Sequence, residues 1–159
     1  MYRKLFIFCG ILSILAACTT SITSGPKIHV DGAWARPADI GSQSMSDMPG
    51  MSGDETNSAV YFIIVNDGGE MDTLVGAASE VATSAEVHET RIENDVAQMA
   101  PISHVDIPAH DRIEFKPLGY HMMLVGLTQD LKVGESIKVT LFFEKSGTIT
   151  LDVPIRQGQ

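Results

Sequence analysis

The sequence predicts an all-β domain, an antiparallel sandwich or barrel of Greek-key type. Several short segments alternate between two sets of side chains at period two, and they are rich in β-branched and aromatic residues. Clusters of Gly, Asn, Asp and Pro separate these segments, and no long amphipathic helix or internal repeat interrupts them. Many short strands joined by such turns are typical of sandwiches and barrels.

The clearest elements follow in chain order from about residue 28. The best predicted strands cover residues 60–65, 137–143 and 148–153. The turns between them are predicted at residues 66–69, 93–95 and 145–147. Each strand places apolar residues on one face, so we expect half-buried antiparallel strands. Residues 28–155 would form a single domain.

The first residues have the composition of an export signal. Arg3 and Lys4 precede an apolar run that is too short for a comfortable transmembrane helix, and Leu15–Cys18 resembles a bacterial lipobox. Residues 1–17 are therefore predicted to be a lipoprotein signal peptide, with Cys18 lipidated and residues 18–27 serving as a tether to the membrane. An ordinary signal peptide that happens to contain Cys18 is the alternative.

The cysteine count narrows the chemistry of the exported domain. Cys9 lies in the signal peptide and Cys18 would carry the lipid, so residues 28–155 contain no thiol. A blue-copper electron-transfer site, a thiolate zinc site and a cysteine nucleophile are all excluded. The formal net charge of −9 argues against a nucleic-acid partner. No arrangement of nucleophile and base is apparent, so we do not expect an enzyme.

Two histidines and two methionines form a spaced set of soft metal ligands. Ten residues separate His88 from Met99, twenty-one separate Met99 from His121, and Met123 follows in a His-x-Met pair. Imidazole and thioether donors suit monovalent copper rather than zinc, calcium or magnesium. Residues two apart on a strand share a face, so His121 and Met123 would point together while Met122 points into the core. We expect two strands and one loop to build this site at the surface.

The pattern His-x10-Met-x21-His-x-Met resembles the signature of the periplasmic copper chaperone family PCuAC. The flanking segments Gly32–Arg36, Ala59–Phe62 and Asp72–Ala77 are also similar to that family, and the resemblance runs from about Ile28 to about Pro154. One departure is Leu118, because the family usually carries two adjacent glycines before the second histidine. Gly119 remains, so the turn is expected to form.

This resemblance implies a cupredoxin-like fold and a role in copper(I) delivery. The acceptor would be the dinuclear copper centre of a terminal oxidase, or another copper chaperone. Two alternatives stay open on the sequence alone. One is a lipoprotein for copper storage or tolerance, and the other is a lipoprotein that uses the same fold for an interaction without metal.

A long segment, residues 36–58, interrupts the predicted strands. It is rich in Gly, Ser, Asp and Pro, and it contains Met45, Met48 and Met51 at intervals of three. Loops of this length are unusual in compact domains. The three methionines are either incidental to a polar insertion or form an auxiliary, weak copper-gathering arm.

Overall fold

The structure, a computed structural model, describes residues 24–40, 56–93 and 96–158. All regular elements among these residues are strands, which confirms the predicted all-β class. Within the same ranges, no helix could span a membrane. The predicted signal peptide, the predicted lipidation site Cys18 and the three methionines of the predicted loop lie outside the described residues.

The described residues form ten strands, and the three predicted strands correspond to β2, β9 and β10. The strands are β1 Ile28–Ala35, β2 Ser58–Asn66, β3 Asp72–Ser79, β4 Ala82–Glu93, β5 Val96–Pro101, β6 Val105–Ile107, β7 Asp111–Phe115, β8 Tyr120–Leu127, β9 Ser136–Phe143 and β10 Gly147–Pro154.

The strands form a nearly closed barrel with a Greek-key order. Their order is β1-β2-β7-β8-β4-β3-β9-β10, with β5 added to β4 and β6 added to β3. Ala35 at the end of β1 forms a parallel bridge with Ile155 just after β10, so the first and last strands meet. This order inserts β8 between β7 and β4, and the long β4–β8 ladder becomes the centre of one wall.

The core fills the interior with one face of each strand. In β9, Ile137, Val139, Leu141 and Phe143 are buried, as the period-two alternation predicts. The first half of β2 differs from the prediction, because it is buried on both faces. Tyr61 on its outer face is covered by Trp34 of β1, whose ring centroid lies 4.7 Å away. Burial of this outer face could not be predicted from the alternation of residues in β2, because it depends on pairing with β1.

Candidate metal centre

Three adjacent strands bring the four candidate ligands to one face of the barrel wall. In the β4–β8 ladder, His88 pairs with His121. In the β4–β5 ladder, Met99 pairs with Thr90, which is two residues beyond His88 and shares its face. Met123 is two residues beyond His121 on β8. The backbone therefore places the candidate ligands on neighbouring positions of the outer face.

The expected construction from two strands and one loop is wrong, because the four candidate ligands lie on three strands. Met99 lies within β5, and His88 lies in the middle of the twelve-residue strand β4 rather than at its end. β4 continues past His88 because it forms a hairpin with β5 between His88 and Glu93. Pairing with β5 extends β4 through residues that show no clear alternation of apolar and polar side chains. The length of β4 is therefore underestimated from the sequence pattern.

The candidate ligands are also less open than a surface site assembled from strand ends and a loop would be. His121 and Met123 are each 4% exposed, and the side chain of His88 is 14% exposed. Met99 on the edge strand is partly buried. Met122, between the two candidate ligands of β8, is fully buried in the opposite face, which confirms its predicted place in the core.

Each histidine uses one ring nitrogen in a hydrogen bond. Nδ1 of His121 lies 3.1 Å from the carbonyl oxygen of Gly119. Nε2 of His88 lies 3.2 Å from Oε2 of Glu86. A carbonyl and an ionised carboxylate can only accept, so the ring N–H donates in both cases. The pKa of Glu86 is lowered by its hydrogen bonds to His88 and Ser84, which keeps the carboxylate ionised.

The other nitrogen of each ring has no partner. Nδ1 of His88 and Nε2 of His121 are the two buried side-chain nitrogen or oxygen atoms that lack a hydrogen bond in the described part of the chain. With the assigned N–H positions, both atoms carry a lone pair. The two rings lie 5.7 Å apart between centroids. A histidine binds a metal ion through an unprotonated ring nitrogen, so both of these residues can act as ligands.

Burial further favours the neutral form of His121. Desolvation lowers its pKa, and repulsion from His88 acts in the same direction, while the hydrogen bond to Gly119 opposes them. A neutral imidazole keeps its lone pair available to a metal ion, because no proton has to be displaced first.

The turn before β8 forms, but with an unexpected residue in the strained position. The amide of Gly119 donates to the carbonyl of Lys116 at 3.1 Å, and Pro117 occupies the second position of the turn. The third position, Leu118, has φ of 62° and is 70% exposed. Glycine usually fills this left-handed position, so the departure from the family pattern falls on the residue whose conformation favours glycine most.

Three further histidines lie away from this site. His29 contacts Asp31 and Asp67, and the ring of His104 contacts Ser103. His110 occupies a turn with φ of 56°. Glu86 is not among the predicted site residues, although its position two residues before His88 on a strand places it on the same face.

A family model of LpqE-like proteins, whose description names a lipoprotein, matches residues 28–155. The chain belongs to the LpqE-like lipoprotein family. Protein Lxx21020 of Leifsonia xyli subsp. xyli, whose name also describes a lipoprotein, is 32% identical over 142 residues, covering 89% of this chain and 76% of that protein.

Solved structures similar to this LpqE-like protein include PCuAC domains and a copper(I)-bound protein. The apo PCuAC domain from PmoF1 is 26% identical, with a TM-score of 0.62, and the match covers 83% of this chain and 95% of that domain. The copper(I) form of DR1885 from Deinococcus radiodurans is 26% identical, with a TM-score of 0.55, over 79% of this chain and 77% of that one. The resemblance to PCuAC and the cupredoxin-like fold are thus confirmed.

Proposed function

We propose that this LpqE-like protein binds one monovalent copper ion through His88, His121, Met99 and Met123. The observation that carries the proposal is the pair of buried, unpartnered nitrogens on residues that face each other across β4 and β8. A buried polar atom without a partner costs about 1–3 kcal/mol, so an arrangement with two of them calls for a function. The similarity to a copper(I)-bound solved structure supports copper as the ion.

The donor set favours the reduced ion. Two imidazoles and two thioethers are neutral, soft or borderline ligands, and they leave the positive charge of the ion uncompensated. Thioethers bind without losing a proton, so they remain available as the pH falls. A harder divalent ion such as magnesium or calcium would require oxygen donors.

We further propose that the protein carries copper to an acceptor rather than using it in catalysis. All four ligands are neutral and exchangeable, so an acceptor that presents a thiolate can replace them one at a time. Partial burial protects the ion in transit, while the largely exposed edge strand β5, which carries Met99, leaves one side approachable. The proposed acceptor is a subunit of a terminal oxidase with a dinuclear copper centre, or another copper chaperone.

An anaerobic titration of the exported domain with monovalent copper tests the binding step. A competing chelator should reveal one tight equivalent in the wild-type protein and none in a His88→Asn, His121→Asn double variant. His29→Asn is the matched control, because His29 lies away from the site between two aspartates. A wild-type protein with no tight equivalent would defeat the proposal and favour an interaction role without metal.

Deletion of the gene separates delivery from storage. Delivery predicts loss of assembled oxidase at low copper that excess copper restores. Storage or tolerance predicts normal oxidase and greater sensitivity to high copper. A deletion strain with the storage phenotype alone would overturn the delivery proposal.

We propose that Cys18 carries the lipid that anchors the domain outside the cytoplasm. The family description and the name of the Leifsonia relative support a lipoprotein. Cys18→Ser should abolish incorporation of labelled fatty acid and release the domain from membranes. Unchanged labelling and membrane association would contradict the assignment.

We also propose that Met45, Met48 and Met51, which lie outside the described residues, gather copper weakly for the main site. The described residues on either side of this segment lie together, because the hydroxyl of Thr56 donates to the carbonyl of Ile40, and the carbonyl of Thr56 accepts from the amide of Leu127 at the end of β8. Changing all three methionines to Ser should slow copper loading and leave the affinity of the tight site unchanged. Identical loading rates would make these methionines incidental.

A further inference from the structure

Glu86 links the outer face of β4 to the candidate site. It lies two residues before His88 on the same face and pairs with Met123 across the β4–β8 ladder. One carboxylate oxygen, Oε2, accepts from Nε2 of His88 at 3.2 Å. The other oxygen, Oε1, accepts from the hydroxyl of Ser84 at 2.9 Å. The carboxylate is therefore held from two sides.

We propose that Glu86 is a positioning residue that selects the tautomer and ring orientation of His88, so that His88 offers Nδ1 to copper. The inference rests on the proposed copper function, but it concerns a property of the metal-free protein. Donation from Nε2–H to the carboxylate leaves the lone pair on Nδ1, and Nδ1 is the buried atom without a partner.

Each histidine keeps one ring nitrogen free for a metal ion, but the two rings are opposite tautomers that are fixed by different acceptors. The backbone carbonyl of Gly119 fixes Nδ1–H of His121 and leaves Nε2 free. No backbone group does this for His88, so a side chain supplies the acceptor. The site would then bind copper through Nδ1 of one histidine and Nε2 of the other. Carboxylates that hold a ligating histidine in this way typically contribute a factor of about 10–100 to metal affinity.

A surface ion pair without a role in positioning is the simpler interpretation of this contact. Exposed pairs contribute little because solvent screens them. Here the side chain of His88 is only 14% exposed, and Ser84 restrains the carboxylate, so the geometry is more defined than in a typical exposed pair. The chain also offers an internal comparison. Glu89 is adjacent to His88 in sequence but lies on the alternate face of β4, where it pairs with Arg91 at 2.7 Å.

Nitrogen-15 NMR of the histidine rings in the metal-free domain tests the proposal directly. The spectra are recorded at about pH 8, and the chemical shifts of the two ring nitrogens of a neutral imidazole show which one carries the proton. Wild-type His88 should carry its proton on Nε2. Glu86→Ala should give a mixture of tautomers or the Nδ1–H form, and copper(I) affinity should fall about 10–100-fold.

Three further variants keep the test decisive. Glu86→Gln retains an oxygen acceptor, so it should restore the Nε2–H tautomer and most of the affinity. Glu89→Gln should change neither. Ser84→Ala should shift the tautomer balance mildly, and it serves as the readout if Glu86→Ala fails to fold.

An Nε2–H tautomer that persists in Glu86→Ala, or a tautomer change in that variant with wild-type copper affinity, would overturn the proposal. If the wild-type domain binds no copper, the proposed function fails. The tautomer measurement on the metal-free domain would still stand in that case, so the two failures are distinguishable.

Discussion

His88 and His121 face each other across β4 and β8, with ring centroids 5.7 Å apart, and each ring has one buried nitrogen without a partner. In a protein selected for stability alone, such atoms would be paired or replaced by apolar groups. The metal-free fold therefore carries a local cost at this place. Replacing one of these histidines by an apolar residue should therefore remove both the cost of the unpaired nitrogen and the proposed copper site.

His121→Leu should show both effects together. The substitution removes the unpaired Nε2, and the Gly119 carbonyl still accepts from the amide of Thr90 at 3.1 Å, so it leaves no orphaned acceptor. We expect the free energy of unfolding of the metal-free variant to be equal to that of the wild type, or higher by about 1 kcal/mol. Copper binding should be lost. A urea titration of both proteins at pH 8 measures the difference, and a variant weaker by more than about 2 kcal/mol would contradict the account.

The same pair of proteins should differ more as the pH falls. Because burial lowers the pKa of His121 in the folded state, the unfolded chain takes up a proton below about pH 6.5 while the folded chain resists it. Protonation thus favours unfolding of the wild type, and its stability relative to His121→Leu should fall between pH 7 and pH 5. Urea titrations across this range measure the difference, and a constant difference would show that His121 titrates normally when folded.

Met122 and Met123 offer a matched test of the two faces of β8. Met123→Leu conserves volume, so we expect it to cost less than about 1.5 kcal/mol in the metal-free protein but to weaken copper binding markedly. Met122→Leu makes the same chemical change on the core face and should leave copper affinity unchanged. Met122→Ala should cost about 2–5 kcal/mol, because the side chain is fully buried. Equal copper affinities for the two leucine variants would remove Met123 from the site.

Leu118→Gly should relieve backbone strain next to the site. A non-glycine residue in the left-handed region costs about 1–2 kcal/mol, and the greater freedom of glycine in the unfolded chain returns part of that gain. We therefore expect a net stabilisation of up to about 1 kcal/mol. Val133→Gly is the control, since Val133 is an exposed apolar residue outside that conformation, and it should lose about 0.5–1 kcal/mol. Thermal unfolding that shows the same loss for both variants would refute the strain.

Asp72, the first residue of β3, makes the stability of the fold sensitive to acid. Burial alone would raise its pKa, but hydrogen bonds from Ser146, Lys145 and Thr73 outweigh it and lower the pKa. Its stabilisation is therefore present above the ordinary value of about 3.9 and is lost as the pH falls through the lower folded value. Asp72→Asn should cost about 1.5–3 kcal/mol at pH 7, and the difference should shrink below pH 4.

Asp152→Asn is the control for this effect. Asp152 pairs with Lys138 on the exposed face of β9 and β10, and such surface pairs contribute about 1 kcal/mol or less. Urea unfolding from pH 7 to pH 3 compares the two variants. A cost for Asp72→Asn that stays constant over this range would show that ionisation of Asp72 does not stabilise the fold.

The sequence predicts the parts of this protein that depend on local period. The alternation in β9 and the opposite faces of Met122 and Met123 both follow from the two-residue repeat of a strand. The placement of Met99 on a strand could not be predicted in this way, because β5 is exposed along most of its length and exists through its hairpin with β4.

Features that depend on pairing between distant strands could not be predicted from the sequence either. The near-complete burial of His121 requires the neighbouring strands of the barrel wall, and those neighbours come from distant parts of the chain. The left-handed conformation of Leu118 does not follow from the residue type, because leucine disfavours it, and only the glycine usual at this position in the PCuAC family points to it. Glu86 could not be predicted as part of the site, because only its contact with His88 distinguishes it from the other carboxylates.

X-ray absorption on the domain loaded with one equivalent of monovalent copper identifies the ligands of the proposed site. We expect a first shell of mixed nitrogen and sulfur scatterers, with two imidazoles and thioether sulfur. Sulfur scattering should decrease in Met123→Leu and stay unchanged in Met122→Leu. A first shell of nitrogen and oxygen alone, or a spectrum unaffected by Met123→Leu, would contradict the assignment of this face of β4, β5 and β8 as a copper(I) site.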